Sequence, residues 1–137
     1  MRRVVTETRR ASRRFDAEPA CARLARRWAA GVATEWGLSE VETLALLTSE
    51  LATNAVQHAR TAFEVGVRVQ GDNLRVEVSD GDPRPPVPFA LTPNGSSGRG
   101  LAVVQTLASK WGIEERAEGK TVWFELPAFM RGARVRG

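Results

Sequence analysis

Two neighbouring stretches of alternating polar and apolar residues constrain the fold of this chain more than any other feature. The apolar positions are Phe63, Val65, Val67 and Val69 in the first stretch and Leu74, Val76 and Val78 in the second. A period of two is typical of strands with one buried face. A turn at Gly71-Asp72 or Asp72-Asn73 predicts that the two strands form a hairpin. Other elements must therefore cover one face of a sheet.

The segment before these strands predicts an amphipathic helix that begins near Pro19 and is stopped by Gly37. Leu24, Trp28 and Val32 recur every four residues, whereas the arginines between them fall on another side of the helix. Proline suits the first turn of a helix, and glycine commonly follows the last one. We therefore expect the stripe that contains Leu24 to face the core.

A second helix is predicted from a cap at Ser39 to about Ala59. Glu42 lies three residues after Ser39, which is the spacing of a capping box. Farther along, Glu50 and Asn54 lie one turn apart, on the side opposite the apolar residues of the helix. A carboxylate and an amide so placed suit a general base beside a metal ligand. Taken alone, a solvated helix face is the commoner explanation.

Asp80 is the most informative polar residue outside this helix. It has the parity of Leu74, Val76 and Val78, so its side chain is predicted to point to the covered face of the sheet. An ionised carboxylate on that face needs a partner. An Asp-Gly pair can also simply end a strand by turning the chain, but the inward parity favours a functional role.

The remainder of the chain contains a long loop, a third helix and two more strands. Residues 81–98 are rich in proline, glycine and serine, and a loop of this length is usually a functional lid or a disordered segment. The Gly-Arg-Gly-Leu sequence at 98–101 opens the third helix. Free N–H groups at such a helix start suit phosphate, although most glycine pairs of this kind are turns. Strands are predicted over 111–116 and 121–126.

The order of these elements, (β)ααββαββ with an N-terminal edge strand, predicts an α+β fold. Strands with one apolar side indicate a two-layer α/β sandwich, in which a mixed, mostly antiparallel sheet carries three helices on one face. Trp123 would lie on the open face, covered by the N-terminal segment or exposed as a partner surface. We expect a basic arm or edge strand over 1–14, one domain over 15–127 and a basic tail over 128–137.

Charge and composition exclude several classes of protein. Residues 1–27 hold nine arginines against three acids, whereas residues 28–130 hold eight basic and thirteen acidic residues. No DNA- or RNA-binding signature accompanies the basic arm, so direct nucleic-acid binding is not expected. The chain has one cysteine, no apolar leader and no apolar run near the roughly 18 residues of a membrane helix. These features predict a cytoplasmic protein without a membrane segment.

The polar motifs occur in a definite order: Glu50 with Asn54, then an inward Asp80 followed by glycine, then a long loop leading to 98–101. In this order they resemble the ATPase domain of the histidine-kinase-like superfamily, which has the Bergerat ATP-binding fold. The closer resemblance is to the stand-alone bacterial anti-sigma factor serine/threonine kinases. The likeness covers roughly residues 15–127. Each motif is short, but their order and spacing make the combination specific.

The resemblance implies a role for each matched position. Glu50 would be the general base that deprotonates a target hydroxyl, and Asn54 would hold the Mg²⁺ that bridges the phosphates of ATP. Asp80 would accept a hydrogen bond from the adenine amino group, and Thr121 would lie beside the adenine. The phosphates would be held at the helix start by Gly98, Arg99, Gly100 and Leu101, with residues 83–97 as a lid.

The chain departs from the family pattern shortly after Asp80. The family has glycines two and four residues later, where this chain has Asp82 and Arg84. Asp82 is therefore a candidate nucleotide contact in an altered loop, and the departure predicts modest ATP affinity.

The resemblance implies two functions. The first is a protein serine/threonine kinase that phosphorylates an anti-anti-sigma (STAS-type) partner and sequesters a sigma factor, with a homodimer left open. The second is an ATP-binding regulatory module that binds partners without phosphotransfer, and a degenerate domain that binds no nucleotide is a third possibility. A hydrolase is disfavoured because His58 is the single histidine, which leaves no Ser–His–carboxylate set and no His/Cys metal cluster.

Overall fold

In the part of the chain that the structure describes, three helices cover one face of a five-stranded sheet, so the predicted α+β, two-layer architecture is confirmed. The structure, a computed structural model, describes residues 8–84 and 96–129, with the side chains of 96–101 excepted. The strands are β1 (Arg9–Phe15), β2 (Phe63–Gln70), β3 (Asn73–Asp80), β4 (Lys110–Arg116) and β5 (Gly119–Pro127). The helices are α1 (Pro19–Glu35), α2 (Val41–Asn54) and α3 (Ser96–Leu107), and a π-helical turn (Ala55–Ala59) continues α2.

The sheet has the order β1-β2-β3-β5-β4. All four neighbouring pairs of described strands are antiparallel, so the sheet is not mixed as expected. The predicted hairpin joins β2 to β3, and the predicted N-terminal edge strand is β1. Phe15 at the end of β1 stacks on Phe63 of β2, with ring centroids 5.5 Å apart. This contact ties the arginine-rich edge strand to the core.

One face of the sheet carries the hydrophobic core, as the alternation predicts. The buried apolar residues of this face include Phe63, Val65, Val67 and Val69 on β2, Leu74, Val76 and Val78 on β3, and Val122, Phe124 and Leu126 on β5. Residues of α1, α2 and α3 pack against them. Burial of these side chains, at about 25 cal/mol per Å² of apolar surface, is the main term that holds the two layers together.

The buried stripe of α1 differs from the predicted one. Its buried residues are Cys21, Ala25, Ala29 and Ala33, whereas Leu24 is 48% exposed. Trp28 and Val32 are only partly buried at the edge of the core. The alanine stripe lies next to the predicted stripe on the helix surface, and small side chains allow α1 to pack closely against α2. Helical periodicity alone does not choose between two adjacent stripes.

The predicted capping box at the start of α2 is not formed. The helix begins at Val41, and the residue in the cap position is Glu40, whose side chain makes no capping hydrogen bond. Ser39 instead donates its backbone N–H to the carbonyl oxygen of Phe129, at 2.9 Å. The chain entering α2 is therefore held by pairing with the C-terminal end of the domain.

The end of the domain is attached to the sheet beyond β5. The backbone N–H of Ala128 donates to the carbonyl oxygen of Asp72 at 2.8 Å, and Ala128 is fully buried. Residues 128 and 129 thus belong to the folded domain, although the basic tail was expected to begin there. Residues 1–7 and 130–137 lie outside the described part. Among the described helices, none has the length and apolar character needed to cross a bilayer.

Candidate functional site

A buried ion pair joins Asp80 to Lys120 on the helix-covered side of the sheet. Asp80 ends β3, and its register partner on β5 is Lys120. The two side chains are 5% and 7% exposed, and the Lys120 ammonium lies 3.2 Å from both carboxylate oxygens. The ammonium also donates to the carbonyl oxygen of Asp82 at 3.1 Å. The predicted inward orientation of Asp80 is therefore confirmed, and the partner that its burial requires is a lysine.

The turn after Asp80 is held from several sides. The backbone N–H of Asp82 donates to Asp80 Oδ1 at 2.9 Å, and the N–H of Gly81 donates to Thr61 Oγ1 at 2.8 Å. On the β5 side, a Cβ atom at Gly119 would overlap the carbonyl oxygen of Asp80. The backbone around the carboxylate is thus closely packed, which orients Asp80.

Asp82 and Arg84 form a closed pair where the family pattern has glycines. One carboxylate oxygen of Asp82 accepts the backbone N–H of Arg84 at 3.0 Å, and the other lies 2.7 Å from the guanidinium. The side-chain hydrogen bond from Arg84, together with the backbone one, holds the pKa of Asp82 well below its ordinary value. The carboxylate of Asp82 is therefore engaged by Arg84, and Asp82 joins the Asp80 cluster through its backbone N–H and carbonyl oxygen.

Thr121 is not brought to the Asp80 carboxylate. Its register partner is Ser79, on the opposite face of the sheet from Asp80 and Lys120. The two hydroxyl oxygens lie 2.7 Å apart, and Thr121 is fully buried. Lys120 is the residue that the sequence interpretation missed. The parity argument that identified Asp80 would have found it, because Lys120 shares its parity with Val122.

Glu50 and Asn54 lie one turn apart near the end of α2, and both are half-buried. The Asn54 Oδ1 atom is buried and has no hydrogen-bond partner within the part of the chain that the structure describes. A buried acceptor of this kind calls for a ligand. Gln57 and His58, farther along the same helix, are exposed.

A change of helical geometry follows directly after Asn54. Residues Ala55–Ala59 are π-helical, and the N–H of Arg60 donates to the carbonyl oxygen of Ala55 at 2.9 Å. Arg60 itself has a left-handed backbone, with φ of 57°, which costs about 1–2 kcal/mol for a residue with a side chain. π-Helical turns are frequent at functional sites. This turn and α2 both pack against β3, which ends at Asp80.

The glycine motif lies inside α3. The helix begins at Ser96, two residues before the start predicted at Gly98, so Gly98 and Gly100 belong to its first turns. The N–H groups of the first turn of an α-helix lack intrahelical acceptors, and Gly98 lies in this first turn. α3 packs against α2. The side chains of Arg99 and Leu101 lie outside the description, as do residues 85–95 of the expected lid.

The donor set fits ATP with Mg²⁺. Mg²⁺ prefers oxygen ligands and is usually held by one or two side chains together with substrate phosphates, and the Asn54 amide oxygen is such a ligand. No group of three His, Cys, Asp or Glu side chains that could hold a metal occurs in the described ranges. Asn54 would therefore hold the ion with the phosphates, and Asp80 would be a buried acceptor for the base.

Comparison with known proteins agrees with this geometry. An uncharacterized protein of Streptomyces coelicolor is 35% identical over 80 residues, which are 54% of this chain and 75% of that protein. A crystal structure of the RsbU and RsbW domains of Rv1364c from Mycobacterium tuberculosis matches in fold, with a TM-score of 0.70 and 23% identity. The match covers 94% of this chain and 35% of the other, so this chain spans about a third of its length. The model of the histidine kinase-like ATPase domain matches residues 15–126, and the chain belongs to that family.

Proposed function

We propose that this protein binds ATP with Mg²⁺ and phosphorylates a serine or threonine of an anti-anti-sigma (STAS-type) partner in the cytoplasm. In its other state it sequesters a sigma factor, so that partner switching regulates transcription. The observation that carries the proposal is that the buried Asn54 Oδ1, one turn from Glu50, has no hydrogen-bond partner among the described residues. These residues lie on an element that packs against the strand ending at Asp80. The family membership and the fold support it.

Each residue has a distinct task in the proposed reaction. Asp80 orients the base, and Asn54 holds the ion, which neutralises charge on the phosphate oxygens when bound. Glu50 accepts the proton of the target hydroxyl as the hydroxyl oxygen bonds to the γ-phosphorus. The bond from the γ-phosphorus to the β,γ-bridging oxygen breaks, and ADP leaves. The N–H groups at the start of α3 donate to phosphate oxygens.

ATP binding is the first part to test. We expect modest affinity, so titration calorimetry with ATP and Mg²⁺ should give a dissociation constant below about 1 mM for the natural protein. The variant Asn54→Ala should lose the Mg²⁺ dependence of binding, and Asp80→Asn should weaken binding in Mg²⁺ and in EDTA alike. Undetectable binding of ATP by the natural protein at millimolar concentration would refute both nucleotide-binding proposals.

Phosphotransfer is tested with a captured partner. Proteins retained by the immobilised chain, with and without ATP, are identified by mass spectrometry and incubated with labelled ATP and Mg²⁺. Glu50→Gln should slow transfer by about 10²–10⁴-fold, while ATP binding stays close to that of the natural protein. Glu42→Gln, at an exposed position of the same helix, is the control. Equal transfer by Glu50→Gln and the natural protein would remove Glu50 as the base.

The second candidate function is a regulatory module that binds ATP and its partners without phosphotransfer. The closed Asp82–Arg84 pair favours it, since this pair replaces two glycines of the family pattern in the loop beside the base. ATP-dependent capture of a partner that never gains label would establish this alternative.

A further inference from the structure

We propose that Lys120 determines the nucleobase specificity of the site, by donating a hydrogen bond to the base beside the group that Asp80 contacts. The inference rests on the proposed ATP binding and extends it to a residue outside the predicted site. Lys120 and Asp80 then together recognise the pattern of hydrogen-bond donors and acceptors on the edge of the base.

The burial of Lys120 is the first reason. Moving an ammonium out of water is costly unless its partners compensate, and the Lys120 side chain is only 7% exposed. It is also a charged residue on a face whose other β5 positions are Val122, Phe124 and Leu126. Burying a lysine at this position therefore costs desolvation free energy. The lysine lies next to Asp80, the carboxylate proposed to contact the base.

The hydrogen-bonding capacity of the pair is the second reason. An ammonium has three N–H donors, and within the described residues those of Lys120 go to Asp80 and to the carbonyl oxygen of Asp82. Asp80 Oδ1 also accepts the N–H of Asp82, whereas the contact of Oδ2 with the ammonium, at 3.2 Å, is that of an ion pair. Within the described residues, the two hydrogen bonds of the ammonium therefore leave one N–H donor for a ligand, next to acceptor positions on Oδ2.

The chemistry of purines completes the argument. Adenine carries an amino donor next to the ring acceptor N1, so Asp80 can take the amino group while Lys120 donates to N1. Guanine in the same orientation presents an oxygen to Asp80 and an N–H to Lys120. The carboxylate then faces another hydrogen-bond acceptor, and the ammonium faces another donor. A site built in this way rejects the wrong base strongly, because its polar groups are left unpaired.

The decisive measurement compares ATP, 1-deaza-ATP and GTP on the natural protein by calorimetry. In 1-deaza-ATP a C–H replaces the acceptor N1 and the amino group is kept. Loss of a hydrogen bond from a charged donor should weaken binding about 10-fold or more, and GTP should bind still more weakly. In Lys120→Met the ratio between ATP and 1-deaza-ATP should fall to about one, and Lys120→Arg should restore part of it. Lys110→Met, at an exposed lysine of β4, should keep the natural ratio.

The outcomes separate this inference from the function on which it rests. If the natural protein binds ATP and 1-deaza-ATP equally, Lys120 only neutralises Asp80, and the inference is wrong while ATP binding stands. If it binds neither nucleotide, the proposed function fails as well. Because the first comparison uses the natural protein, a folding defect of Lys120→Met leaves the test intact.

Discussion

The guanidinium carbon of Arg75 lies 4.0 Å from the centroid of the Trp123 ring, on the open face of the sheet. The same guanidinium pairs with Glu77 at 2.8 Å and with Glu125 at 3.1 Å, and the Arg75 side chain is only 14% exposed. Trp123 was predicted on this face, covered by the N-terminal segment or exposed to a partner. Its cover is an arginine of the neighbouring strand, backed by a network of acidic residues.

Replacement of Arg75 by alanine should lower the free energy of unfolding by about 1–2 kcal/mol. The variant loses the contact with the ring and leaves Glu125, which is 16% exposed, without its cation. Chemical denaturation with a matched Arg14→Ala control, at an exposed position of β1, measures the difference. Equal denaturation midpoints for Arg75→Ala and Arg14→Ala would show that the contacts of Arg75 with Trp123 and the acidic residues add no stability.

Gly112 is required by the position of the Trp123 ring. A Cβ atom at Gly112 would lie 2.6 Å from Cζ2 and 2.9 Å from Nε1 of the indole, so Gly112→Ala must displace the ring. We expect a loss of about 1–3 kcal/mol and a changed near-ultraviolet circular dichroism spectrum. Gly66→Ala, on the same face with no atom within 4 Å of the added Cβ, should leave the spectrum unchanged.

Gly119 sets the approach of β5 to the carboxylate that ends β3. An added Cβ would meet the carbonyl oxygen of Asp80, a backbone atom that cannot rotate away. Gly119→Ala should therefore cost more than about 2 kcal/mol of stability and weaken ATP binding by shifting Asp80. Gly31→Ala, at an exposed site of α1 with open space around it, should instead stabilise the fold by roughly 0.5–1 kcal/mol. An undiminished ATP affinity in a folded Gly119→Ala protein would contradict the close-approach argument.

The Asp82–Arg84 pair should persist to low pH. Arg84 lowers the pKa of Asp82, so the carboxylate stays ionised as the pH falls through about 3.9, where an unperturbed aspartate takes up its proton. The pair is lost only at lower pH. Carboxyl ¹³C shifts measured against pH report this titration, and Arg84→Ala should return it towards the ordinary range. An ordinary titration of Asp82 in the natural protein would mean that the pair does not form in solution.

The sequence by itself determined the features that depend on local periodicity. Alternation in β2 and β3 fixed which side chains face the helices, and from it followed the buried position of Asp80. The helix that carries Glu50 and Asn54 was predicted because apolar residues recur on its other side. In both cases the side-chain direction follows from backbone geometry over a few residues.

Only the tertiary structure decided which distant residues meet. The pairing of Asp80 with Lys120 depends on the register between β3 and β5, which are separated in the chain by α3 and β4. That register also places Thr121 beside Ser79, on the face of the sheet opposite to Asp80. The buried side of α1 was likewise set by close packing on α2, where alanine fits and Leu24 does not. Periodicity orients a side chain, but its partner is chosen by packing between elements far apart in the chain.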